Sequence, residues 1–130
     1  MELPENIEVF DTTLSTLWID EDGILCSVAK KGAPLTKDGL MNVYAVTKEI
    51  VKGKKICTLT QMTGISSGNK EIRDYALMEM TTFTKAMALI ANSAFSTIIG
   101  NVFMSFSKPP FPMKIFTNEE EAKKWLKQYL

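Results

Sequence analysis

"TGISSGNKEIRDYA", residues Thr63–Ala76, is where this chain turns from a β-branched run into a helical pattern. Upstream, "KKICTLTQM" (Lys54–Met62) is short and largely apolar, and it reads as a buried strand. Downstream, Ile72, Ala76, Met80 and Phe83 recur at helical spacing and line one face. Between them, Gly64 and Gly68 suit a tight turn, and Ser67 or Asn69 reads as the residue that caps the helix. The serines have a second reading. A phosphate on Ser66 or Ser67 would face the unpaired N–H groups of a helix start, with Lys70 and Arg73 one turn away.

Strand, turn and helix recur to both sides of this stretch. "TTLSTLWID" (Thr12–Asp20) and "ILCSVAK" (Ile24–Lys30) predict a hairpin that turns at Asp22-Gly23. Thr36 is the expected N-cap of a helix whose apolar positions are Leu40, Val43, Ala45, Val46 and Ile50, ended by Gly53. "AMALIAN" (Ala86–Asn92) reads as a buried strand. Ser93 opens a helix through about Ser107, stopped by Pro109 and Pro110. "MKIFT" (Met113–Thr117) is a last strand. Thr117 and Glu120 have capping-box spacing before a closing helix with the stripe Ala122, Trp125, Leu126 and Tyr129. The predicted order is β-β-α-β-α-β-α-β-α. That order describes one α/β domain over residues 1–130, a mostly parallel five-stranded sheet with an N-terminal β-hairpin and four helices.

Composition narrows the function. Lys plus Arg number 15 and Asp plus Glu 15, so no net field gathers polyanions, and Arg73 is the sole arginine. Nucleic acid is therefore not an expected partner. The chain has no histidine. That removes the commonest general base and zinc ligand, and no nucleophile–base pair can be named. The expectation is a non-enzymatic protein with no metal and no cofactor. Cys26 and Cys57 form no C-x-x-C pair and read as buried, reduced thiols, which with the acidic start "MELPENIEVFD" points to the cytoplasm. Between Lys85 and Lys108 no residue is charged, but Asn92, Ser93, Ser96, Thr97, Asn101 and Ser105 interrupt the run. A buried strand and helix explain it better than a membrane span.

By its element order, the chain resembles the SpoIIAA-like, STAS-fold family of small bacterial domains. The resemblance rests locally on "ISSG" (Ile65–Gly68), "KEIRDYA" (Lys70–Ala76) and "GNVFMSFSKPPFPMKIF" (Gly100–Phe116) before "EEEAKKWL", and the later segments look like uncharacterised STAS/SEC14-type proteins. It implies an open sheet backed by helices and a role in binding or regulation. In the anti-anti-sigma branch an Asp precedes a phosphorylatable Ser or Thr at a helix start. Here Ile65 holds that place, and Ser66 and Ser67 are the positions onto which the site maps.

Three functional readings follow. The first is a regulatory module that docks a protein partner at Ser66, Ser67, Lys70 and Arg73. The second is a carrier of a small apolar, lipid-like molecule, held by Met78, Met80, Phe83, Phe95, Val102 and Met104, since methionine suits adaptable apolar surfaces. The third is a homodimer formed through the uncharged helix over Ser93–Ser107.

Overall fold

The computed structural model describes residues 1–61, 70–91 and 110–130. Among the described residues, six strands form one mixed sheet, laid side by side in chain order. They are β1 (Phe10–Asp11), β2 (Ser15–Ile19), β3 (Leu25–Ala29), β4 (Ile56–Gln61), β5 (Thr84–Ile90) and β6 (Met113–Phe116). The pairs β1–β2 and β2–β3 are antiparallel, whereas β3–β4, β4–β5 and β5–β6 are parallel. Three α-helices lie among the described residues: α1 (Lys37–Val51), α2 (Lys70–Phe83) and α3 (Glu119–Leu126), the last followed by a 3-10 turn at Lys127–Tyr129.

The α/β class and the opening hairpin are as expected, but the described residues already hold six strands where five were expected. The run Thr12–Asp20 is not one strand. Thr12 closes a turn with its hydroxyl, which donates to the Ser15 carbonyl (2.7 Å) and accepts from the Ser15 N–H (3.0 Å). The chain before that turn folds back as the two-residue β1, with Phe10 opposite Leu17. Two residues carry no alternation to read. The helix expected over Ser93–Ser107 lies outside the described residues, so the expected four helices stand at three described ones.

Helix ends follow local chemistry. Thr36 caps α1, its hydroxyl accepting from the Gly39 N–H at 3.0 Å. The far end unwinds through Lys52 and Gly53, both at positive φ. The buried side chains of α1 are Leu40, Tyr44, Thr47 and Val51; of the other apolar positions expected, Val43, Val46 and Ile50 are half-buried and Ala45 is exposed. Tyr44 decides this: its ring lies 6.2 Å from Tyr75 and 5.7 Å from Phe83 of α2. At α3 the cap is Asn118, which accepts from the Glu121 N–H, and not Thr117.

The helices lie on opposite faces of the sheet. On one face, Trp18, Cys26, Cys57, Leu59, Ala86 and Ala88 pack with Ala122 and Leu126 of α3. The three alanines allow that helix to sit close. On the other face, Met80 of α2 packs against the Met87 and Leu89 cluster and against the cluster of Leu40, Tyr44, Val51 and Phe83. Among the described residues, no helix is long and apolar enough to cross a membrane.

Candidate functional site

The first turn of α2 carries the described half of the predicted partner surface. Lys70 has an 82% exposed side chain, and its ammonium reaches the Asp74 carboxylate at 2.8 Å, one turn along. Arg73 is half-buried on the same turn. Glu71 faces Lys37 of α1 at 4.0 Å, and the Lys37 ammonium stands 5.5 Å from the centre of the Tyr75 ring. Lys70 and Arg73 thus alternate with Glu71 and Asp74, making a mosaic of both signs. A phosphate or carboxylate from a partner would compete with Asp74 for Lys70. Ser66 and Ser67 lie outside the described residues.

The predicted apolar group does not hold together on α2. Phe83 is buried and Met80 is half-buried, both directed inward. Met78 is 61% exposed. Two residues along a helix is a rotation of about 200°, so Met78 and Met80 cannot share a face. Met78 is therefore removed from any pocket between the sheet and α2. Phe95, Val102 and Met104 lie outside the described residues.

A polar cluster on the other face of the sheet was not foreseen. Asp20, at the start of the hairpin turn, has a side chain only 6% exposed. One carboxylate oxygen accepts from the N–H groups of Asp22 and Ile24, both at 2.9 Å, which shapes the turn. The other lies 3.3 Å from the Lys123 ammonium and 3.9 Å from the Cys26 thiol. Burial pushes the Cys26 thiol up to about 12, and the nearby Asp20 charge adds to the shift. Burial pulls Lys123 down, but hydrogen bonding and charge from Asp20 outweigh it, so the ammonium titrates above the ordinary lysine range. This arrangement clamps α3 to the hairpin and keeps Cys26 protonated, which makes it a poor nucleophile. The cue in the sequence was "DEDG" (Asp20–Gly23), an Asx-turn signature, but nothing in it names Lys123. A shallow depression lined by Asn118, Glu119, Glu120 and Lys123 opens beside the cluster. Among the described residues, no group of three or more His, Cys, Asp or Glu could hold a metal ion.

Residues 17–130 match the family described as a domain of unknown function (DUF7793), and the chain belongs to that family. No curated protein matches it. Among solved structures, it is similar to a protein with unknown function from Arthrobacter sp. FB24, at 21% identity over 85% of this chain and 90% of that one, with a TM-score of 0.31.

Proposed function

We propose that this domain is a non-catalytic regulatory module of STAS/SpoIIAA-like type, which works in the cytoplasm and docks a protein partner at the first turn of α2. The observation that supports this reading is the exposed Lys70, set at a helix start that follows the central parallel strand and only lightly held by Asp74. Helix starts attract anions through their free N–H groups, and the cations of the same turn add to that attraction. A partner carboxylate, or a phosphate on Ser66 or Ser67, would draw Lys70 away from Asp74.

The test is affinity capture from the native cell with wild type, Lys70→Glu, and a Ser66→Asp, Ser67→Asp double variant. The expected result is a defined partner retained by wild type and lost or reduced in both variants. Equal capture by all three, with no phosphate on the native protein, would sink the reading.

A further inference from the structure

The net charge is zero, but the two signs are unevenly spread along the chain. Residues 1–29 hold seven Asp and Glu and no Lys or Arg, and all fifteen basic residues follow. Because the strands lie side by side in chain order, this split becomes spatial. The strands β1 to β3 belong to the acidic part, and the approach to β4 opens a basic one.

Lysines gather at the amino ends of the central parallel strands. Lys52 ends α1, Lys54 and Lys55 lead into β4, and Lys85 is the second residue of β5. The β4–β5 register brings Lys85 to this group. Ile56 pairs with Thr84 and Cys57 with Ala86, so Lys85 is an extra residue on β5. Such a bulge re-aims a side chain. Here it keeps the lysine off the α3 face, where Cys57 and Ala86 are buried, and leaves it exposed beside the start of β4.

All four lysines are exposed, and among the described residues none of them forms an ion pair. By contrast, Lys30, Lys37, Lys48, Lys70 and Lys123 each hold a carboxylate. Attraction to the carboxyl end of the α1 dipole accounts for Lys52 and Lys54. It does not account for Lys55 and Lys85, which stand at the sheet. Like charges so gathered repel one another, and an anionic partner relieves that repulsion.

We propose that Lys52, Lys54, Lys55 and Lys85 form a docking surface for a short acidic segment of a partner protein. Charge complementarity sets the sign of the partner, and the neighbouring turn limits its length. The β3–β4 register carries the hairpin turn Asp20–Gly23 alongside the amino end of β4, where Glu21 and Asp22 are exposed. A long polyanion laid over the lysines would run onto those carboxylates. Nucleic acid is a poorer fit for a second reason: no described aromatic side chain is exposed to stack on a base. None of the large exposed apolar side chains belongs to these segments, so nothing here enters a bilayer. The surface lies at the opposite end of the sheet from the first turn of α2, which follows the carboxyl end of β4. Loss of partner docking at that turn leaves this inference standing.

Fluorescence anisotropy on the whole chain tests it, with labelled hexaglutamate as the probe. Unlabelled hexaglutamate, hexaglutamine, hexathymidylate and phosphatidylserine vesicles serve as competitors. Wild type should bind the probe saturably and more weakly as salt is added, and hexaglutamate should displace it at lower concentration than the other three. A Lys54→Glu, Lys55→Glu double variant should weaken binding about tenfold, and Lys85→Gln about threefold. A Lys31→Glu, Lys124→Glu double variant makes the same change of net charge at exposed positions elsewhere and should bind as wild type does. Absence of saturable binding would overturn the proposal, as would unchanged affinity in Lys54→Glu, Lys55→Glu. Equal weakening in the two double variants would also overturn it, since a general field would then be the cause. So would more effective displacement by hexathymidylate or by vesicles, which would assign the lysines to another class of partner.

Discussion

Asp20 and Lys123 come from opposite ends of the chain and meet on the α3 face of the sheet. Truncating Lys123 to Met leaves Asp20 buried with two backbone N–H donors but no counter-charge. The expected loss of stability is about 1–3 kcal/mol, read from the urea midpoint at unchanged slope. Buried groups on both faces of the sheet set the alkaline limb of stability. The folded-state titrations of Cys26, Cys57, Tyr44 and Lys123 are all raised. An unfolded chain therefore loses these protons first, and stability falls as pH rises past the ordinary thiol value of about 8.5. For Cys26 that fall continues to about 12. Lys123 adds its share only above the ordinary lysine value of about 10.4. Cys26→Ala should flatten the first part of the limb and Lys123→Met the last, both measured as melting temperature against pH. Native protein should react with a thiol reagent far more slowly than unfolded protein, since both cysteines are free and buried.

At the scale of the element, caps separate what spacing suggests from what geometry selects. Thr117 and Glu120 have capping-box spacing, but Asn118, one residue later, makes the bond to the backbone. Asn118→Ala should cost about 0.5–2 kcal/mol, while Thr117→Ala should stay within about 0.5 kcal/mol. Thermal unfolding of the two variants side by side distinguishes them. In α1, Gly39 lies under the side chain of Leu14: an added Cβ would stand 2.9 Å from its Cγ and 3.0 Å from the Thr36 hydroxyl. Gly39→Ala should destabilise by about 1–3 kcal/mol, although alanine is the better helix former, because the crowding outweighs the propensity. The face of α2 was legible because Ile72, Ala76, Met80 and Phe83 repeat at helical spacing and meet a single layer. That of α1 was legible only in part, because its centre is aromatic and polar: Tyr44 faces α2, and Thr47 turns its hydroxyl back to the Val43 carbonyl at 2.8 Å. A hydroxyl satisfied within its own helix can be buried at little cost, and periodicity of apolar residues does not see it.

Across the whole molecule, the centre of the sheet holds the two faces together. Leu59 is wholly buried between β3 and β5 under α3. Leu59→Ala should cost about 2–5 kcal/mol, and the slowest amide exchange should lie in β3, β4 and β5. Of the candidate site, the sequence marked the first turn of α2 because strand, glycine turn and helix are local signals. It did not mark the cluster of Asp20, Cys26 and Lys123, since only the packed sheet brings the hairpin turn beside α3.

What the residues determined unaided was local: β-branched runs that pair, caps and glycines that end helices, and the alternation that makes an α/β chain. Those depend on neighbours within a few positions. Which face each helix buries, the return of Phe10–Asp11 as an edge strand, the exposure of Met78, and the meeting of Asp20 with Lys123 were decided only by the packed structure. The energies that choose them come from contacts between residues distant in sequence, and no local pattern records those.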